Sequence, residues 1–160
     1  MSTAETNAAR IRDFYAAFAR KDGAAMAAMY APDARFSDPV FPDLDAREVG
    51  GMWRMFCSGP DTGLRVESSD IVGDDRGARA HWDAHYAFGP AKRPVLNRID
   101  ATFELRDGLI VRHVDQFDFW RWSRQALGAS GLLLGWSPIV RNAVRKQARA
   151  RLESFLAKGT

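Results

Sequence analysis

One cysteine, Cys57, leaves the chain no intrachain disulfide and no cysteine-built zinc site, which fits a reducing compartment. Within Met52-Trp53-Arg54-Met55-Phe56-Cys57 it reads as a small buried hydrophobe rather than a nucleophile. No stretch reaches the roughly 18 to 20 apolar residues of a membrane span. The opening Met1 to Asn7 is polar, without the apolar core of a secretory leader, so the expectation is a soluble, cytoplasmic protein. No G-x-G-x-x-G, phosphate loop, repeat or low-complexity tract occurs, so nothing signals nucleotide binding or a repeat architecture. Acids are scarce at one end: from Pro138 to Thr160 Glu153 stands alone against Arg141, Arg145, Lys146, Arg149, Arg151 and Lys158. That segment carries +5 of a whole-chain +3, so the basicity belongs to one terminal helix and the remainder is slightly acidic.

At 160 residues and 46% hydrophobic, the chain suits one domain with a sizeable core. Ile11, Phe14, Tyr15 and Phe18 follow helical spacing, Asp22-Gly23 ends that helix, and a second spans Ala24 to Tyr30. A short extended piece, Ala34 to Ser37, closes at Asp38-Pro39. Val49, Met52, Trp53 and Phe56 form the stripe of a third helix, Asp45 to Ser58, ended by Gly59-Pro60. The period then changes to two. Leu64 to Val72, Ala78 to Phe88, Val95 to Leu105 and Leu109 to Trp120 read as four strands with hairpin-like connections, hence an antiparallel sheet. Helices gathered before strands indicate an α+β fold. Beyond Trp120 the chain is helical again, with a glycine-bounded apolar run Gly131 to Trp136 and a longer helix after Ser137-Pro138.

The last strand carries the chemistry. Its alternation puts Leu109, Val111, His113, Asp115, Phe117 and Phe119 on one face, an apolar wall that includes an imidazole and a carboxylate. The strand before it, rich in Val, Ile and Phe, contains Asp100. Two strands that each insert a carboxylate into a hydrophobic wall suggest a pocket.

The order helix, helix, short strand, helix, four strands, with Ser37-Asp38-Pro39 and with Ile99 to Val111 leading into His113-Val114-Asp115, resembles the nuclear transport factor 2-like superfamily. Its ketosteroid isomerase and SnoaL-like polyketide cyclase branches look most alike. The resemblance covers residues 5 to about 122. It implies a cone-shaped roll of a curved antiparallel sheet packed on three N-terminal helices, with residues 1–127 as the domain and 128–160 as a C-terminal helical extension packed on it. It further implies a small hydrophobic molecule in the cone and a homodimer through the outer sheet face.

In the isomerase pattern an aspartate base moves a proton while a tyrosine and a protonated aspartic acid hold the enolate oxygen. By resemblance Asp38 stands at the base and Asp100 at the protonated acid. Phe14 takes the tyrosine's place, with Tyr15 one position and about 100° around the helix. His113 is the candidate replacement donor. Asp115 resembles the water-activating aspartate of the limonene epoxide hydrolase branch, whose Arg-x-Asp is absent here because the second long strand reads Trp82-Asp83-Ala84; Arg98 would be a charge partner for Asp100 instead. Trp82 and Tyr86 with Ala84, Trp53 and Phe56 from the third helix, and Phe117 complete the expected binding wall. His81, Asp83 and His85 alternate on the opposite face, as interface polar groups rather than a metal site.

Each acid also has a structural reading. Asp38 initiates a turn, Asp100 pairs with Arg98 or His113, and His113 with Asp115 forms a satisfied core pair. Proton transfer next to a carbonyl requires no cofactor, and none is expected, nor a metal. The function classes that follow are a cofactor-independent acid–base isomerase or cyclase, a non-catalytic ligand-binding or dimerisation module, and a peripheral binder acting through the basic terminal helix. That helix is read as a lid or dimer brace with solvated arginines; membrane contact through it is the alternative, and nucleic acid is not an expected partner.

Overall fold

A computed structural model describes residues 1–59 and 62–159. Helix α1 (Thr3–Ala19) starts at Ser2, whose hydroxyl accepts from the Glu5 N–H while the Glu5 carboxylate accepts from the Ser2 N–H, satisfying two end donors at once. Asp22 caps α2 (Gly23–Ala27) and Asp45 caps α3 (Ala46–Ser58), the latter again with a reciprocal bond from Glu48. Where α2 meets α3 the backbones nearly touch: a Cβ on Gly23 would lie 2.7 Å from the Arg54 Cα, so only glycine fits there.

The strands are β1 (Tyr30–Ser37), β2 (Leu44–Asp45), β3 (Arg65–Gly73), β4 (Gly77–Phe88), β5 (Arg93–Arg106) and β6 (Leu109–Gln116). They form one curved, unclosed sheet ordered β2-β1-β6-β5-β4-β3. Every pairing is antiparallel except β1 with β6, which is parallel and sets Phe36 beside His113. The register then runs His113 to Phe103, Asp115 to Ala101 and, one strand further, Ala101 to Ala80. The inward face of β4 and β5 is therefore Ala80, Trp82, Ala84 and Asn97, Ile99, Ala101, Phe103. This face packs on α1 and α3 through Ile11, Phe14, Phe18, Val49, Met52 and Trp53, all buried.

A second apolar cluster of Val95, Phe119, Trp122 and Ala126 seats α4 (Phe119–Leu127) against β5. Helix α5 (Ala129–Leu134) follows, then α6 (Pro138–Ala157), whose Leu152 enters the main core against α3. Arg149 bonds Glu48, and the Arg145 Nε donates to the Pro39 carbonyl at 2.9 Å, so α6 is tied to the residue after Asp38 and to the first turn of α3.

Several expected boundaries move. The second helix stops at Ala27, and the strand after it begins at Tyr30 rather than Ala34: Tyr30 pairs with Ile110 across an irregular stretch that absorbs Pro32. The last strand ends at Gln116 instead of reaching Trp120, because the Asp118 side chain accepts from the Arg121 N–H and starts α4. Asp118 is thus a cap, and Phe119 belongs to a helix. Within β6 a register shift opposite Glu104/Leu105 turns Ile110 inward, so Leu109 and Val111 leave the face that His113 and Asp115 occupy. Gly59 does cap α3; Pro60 lies outside the described residues.

Candidate active site

His113 is fully buried and hydrogen-bonded at both ring nitrogens. The Trp53 indole N–H donates to the Tyr30 hydroxyl oxygen at 2.9 Å, and that hydroxyl meets His113 Nδ1 at 2.7 Å. With the Asp115 carboxylate accepting at Nε2, the neutral imidazole leaves Nδ1 to accept the Tyr30 proton. The His113 proton then sits on Nε2, which donates to Asp115 Oδ1 at 2.8 Å. This four-residue chain runs in one direction from α3 through β1 to β6. Five aromatic rings enclose the imidazole, with centroids from 4.0 Å (Phe103) to 6.2 Å (Tyr30). The histidine is therefore inside the aromatic core, and Asp115 is the member of the chain that stands at its end. Across the sheet it is paired with Ala101, which in turn is paired with Ala80, both small side chains.

Asp38 closes β1. Its Oδ1 accepts from the Val40 N–H at 2.7 Å and the Phe41 N–H at 2.6 Å, while its own N–H donates to the Phe41 carbonyl. The turn reading is thus correct for one oxygen; Oδ2 makes no hydrogen bond among the described residues. Burial of the carboxyl pushes its pKa up from 3.8 to about 7. The Asp115 charge pushes the same way, and the two backbone N–H groups and the Arg145 guanidinium oppose it. A carboxyl poised near neutrality exchanges protons at little cost in either direction.

Two buried donors lack partners among the described residues: the Tyr15 hydroxyl, within electrostatic reach of Asp115, and the Trp82 indole N–H, whose ring centre lies 6.2 Å from that of Tyr15. Buried polar atoms are almost always bonded, so an orphaned pair on the inward face is a place for a ligand oxygen. Burial and then the Asp115 charge hold the Tyr15 hydroxyl well above its ordinary pKa, so it stays a donor. Tyr86, pushed up to about 12 by burial and by Asp38, accepts from the Trp122 indole at 2.7 Å.

The structure brings together Asp38, His113, Asp115, Tyr15, Trp53, Trp82 and Tyr86, with Phe14 in the core behind them. It separates others. Asp100 is on the outer face, its side chain 82% exposed and bonded to His81 Nδ1 at 2.9 Å, so it is neither buried nor an oxyanion donor. Arg98 shares that outer face and is exposed. Phe56 is 42% exposed at the last turn of α3, its ring set edge-on to that of Trp53. Phe117 is half-buried between the two apolar clusters. His81, Asp83 and His85 do lie opposite Trp82 and Tyr86, with His81 also bonded to Asp83; no metal-holding cluster occurs among the described residues. Sequence reasoning missed Tyr30, concealed in an assumed helix, and Asn97, whose place in the Val95, Ile99, Ala101 alternation makes it the buried polar residue of β5. Two surface crevices of about 470 and 440 Å³ contain neither Asp38 nor Asp115.

A curved, unclosed sheet folded over helices defines the nuclear transport factor 2-like class. Within that class the chain belongs to the SnoaL-like domain family, which its sequence matches over residues 11–113. A search of curated proteins finds no match. Similar solved structures include an LEH-like epoxide hydrolase of M. tuberculosis, 20% identical over 83% of this chain and 98% of that one, with a TM-score of 0.66. A protein assigned as a polyketide cyclase in Xanthomonas campestris pv. campestris is 23% identical over 78% and 98%, TM-score 0.63. One assigned as a ketosteroid isomerase in Kribbella flavida is 18% identical over 74% and 82%, TM-score 0.53. At such identities the likeness concerns the fold.

Proposed function

We propose that the chain binds a small apolar molecule bearing a carbonyl or enol oxygen and moves a proton on the carbon beside it, with Asp38 as the acid–base group and no cofactor. The observation that carries this reading is the half-buried Asp38 carboxyl, poised at about 7 with one oxygen anchored and the other without a bond among the described residues. In this reading Oδ2 takes the proton from carbon and the electron pair moves to the carbonyl oxygen. The Tyr15 hydroxyl and Trp82 indole N–H, both without partners among the described residues, donate to that oxygen. The same Asp38 then returns the proton to a different carbon in isomerisation or, where the enolate carbon attacks a second carbonyl in ring closure, to the alkoxide oxygen formed there. Asp115 raises the basicity of Asp38 through its charge, and the chain from Trp53 through Tyr30 and His113 fixes where that charge sits. The isomerase, cyclase and hydrolase assignments of the structural neighbours are compatible with such chemistry and do not choose among these reactions.

The test is isomerisation of a β,γ-unsaturated 3-ketosteroid, followed by growth of enone absorbance, with Asp38→Asn as control. Expected are turnover that rises as pH passes through about 7 and a loss of about 10² or more in the variant. Steroid that binds wild type without turning over would count against the acid–base reading and favour the second, a non-catalytic ligand-binding module. That second reading has its own support: His113 and Asp115 are satisfied by each other and by Tyr30, as a purely structural chain would be.

A further inference from the structure

Six of the nine exposed large hydrophobics among the described residues fall between positions 120 and 139: Trp120, Leu132, Leu133, Leu134, Trp136 and Ile139. The last five are 52% to 80% exposed, and they form one tip made of α5 and the start of α6. A short helix of a globular protein ordinarily turns its leucines inward, and α5 does the reverse. It packs on α4 through glycine: a Cβ on Gly131 would lie 1.9 Å from the Ser123 carbonyl oxygen, and one on Gly135 would lie 2.0 Å from the Ser123 Oγ. Gly131 is the one buried residue of α5. The glycine face is thus spent on close packing and the leucine face is presented outward.

The charge along the segment that carries the tip has one sign. From Phe119 to Leu152 there is no aspartate or glutamate and there are seven arginines and lysines, of which Arg149, further along α6, is paired with Glu48 and Glu153. Beside the tip opens the crevice of about 470 Å³, lined by Arg93, Arg121 and Arg124 with Pro94, Leu96 and Gln125. Trp120 joins the two features. The Arg124 guanidinium lies 4.2 Å from its ring centre, and its indole N–H donates to the Leu132 carbonyl at 3.2 Å. Tryptophans at the rim, leucines at the apex and arginines behind are the arrangement that an interface between water and acyl chains selects.

We propose that this tip and crevice dock on an anionic phospholipid surface, the leucines and Trp136 entering the acyl boundary and the arginines taking lipid phosphates. A second copy placed symmetrically on the tip would set cations against cations, whereas an anionic bilayer complements both halves of the surface. No helix among the described residues is long and apolar enough to span, so the contact is peripheral. Helix α4 carries the crevice on one side and, on the other, Trp122 bonded to Tyr86 of the candidate site, yet the docking does not depend on any catalytic activity.

The test is co-sedimentation of the full chain with phosphatidylcholine vesicles and with vesicles containing phosphatidylglycerol, at low and high salt. Expected is binding to the anionic vesicles alone, weakened by salt. The pair Arg121→Ala with Arg124→Ala should weaken it about thirtyfold, and Leu133→Asp with Trp136→Ser should abolish it. All four positions lie outside the catalytic set, and circular dichroism melts of the variants verify the fold. Absence of vesicle binding, equal binding to neutral vesicles, or self-association of the lipid-free chain that Leu133→Asp removes would each overturn the proposal, the last in favour of a second copy.

Discussion

Replacing Asp38 by asparagine should stabilise the protein, and only above a definite pH. The asparagine carbonyl oxygen would still accept from the Val40 and Phe41 N–H groups, so the turn survives; what disappears is the ionisation of a half-buried carboxyl. In the folded chain that carboxyl titrates at about 7 against an ordinary 3.8. Between those values the folded state holds a proton that the unfolded state has released, so stability falls as pH rises through the window and the penalty is complete above about 7. At 1.36 kcal/mol per tenfold in proton affinity, a displacement from 3.8 to about 7 corresponds to about 4 kcal/mol. Water entry and local relaxation lower the observable value to about 2 to 4 kcal/mol. Urea unfolding of wild type and variant from about pH 4 to about pH 8.5 measures it. Other titrating groups are common to both proteins, so the difference isolates Asp38. The variant should match wild type at the acid end and gain steadily toward the alkaline end. A difference that is constant with pH, or that grows toward acid, would refute the argument that burial dominates this carboxyl. The same variant should lose turnover, the usual exchange of stability for function at a strained site.

Tyr30→Phe deletes one hydroxyl and leaves two buried partners, the Trp53 N–H and His113 Nδ1, unsatisfied; urea midpoints should report a loss of about 2 to 4 kcal/mol, and less than about 1 would mean the chain is not structural. Asp100→Ala, on the outer face, should leave turnover unchanged and stability within about 0.5 kcal/mol. It should also lower the His81 imidazole pKa, which NMR titration would follow, because the bond to Asp100 is the largest influence holding that group above its ordinary value. Gly51→Ala would place a Cβ 2.3 Å from the Leu156 Cδ2, so that side chain must move aside; we expect a loss of about 1 kcal/mol in urea unfolding, and a loss above about 3 kcal/mol would mean that α6 itself is displaced.

Alternation made β4 legible: Trp82, Ala84 and Tyr86 inward, His81, Asp83 and His85 outward. The same rule applied to β5 puts Asn97, Ile99, Ala101 and Phe103 inward and Asp100 out. Asp100 reads as interior only if the apolar content of the strand is counted without its parity, and the side chain is in fact mostly exposed. Parity fails in its turn on β6, where the irregularity opposite Leu105 turns Ile110 inward between residues that strict alternation would have placed there. Phe56 satisfies the helical stripe, but the last turn of α3 lies at the periphery, and periodicity reports a face without saying where the partner surface ends.

The interior polar groups obey another logic. Trp53, Tyr30, His113 and Asp115 come from three elements, and each is ordinary core material taken alone. What makes them a chain is that one hydroxyl lies between an indole and an imidazole, a fact of parallel β1–β6 pairing that no local spacing encodes. Asp38 is similar. Its motif with Pro39 announces only a turn, which it does make. Its readiness to exchange a proton near neutral pH comes from burial and from Asp115, 77 positions along the chain, offset by Arg145 on a helix beyond the SnoaL-like match. The C-terminal segment thus acts on the electrostatics of the candidate base as well as bracing α3. Cutting the chain before α6 should accordingly raise the Asp38 pKa if its burial were preserved, and lower it if the carboxyl became solvated. Because burial is the larger influence, and α6 bonds directly to the Pro39 carbonyl beside that carboxyl, we expect the lower value.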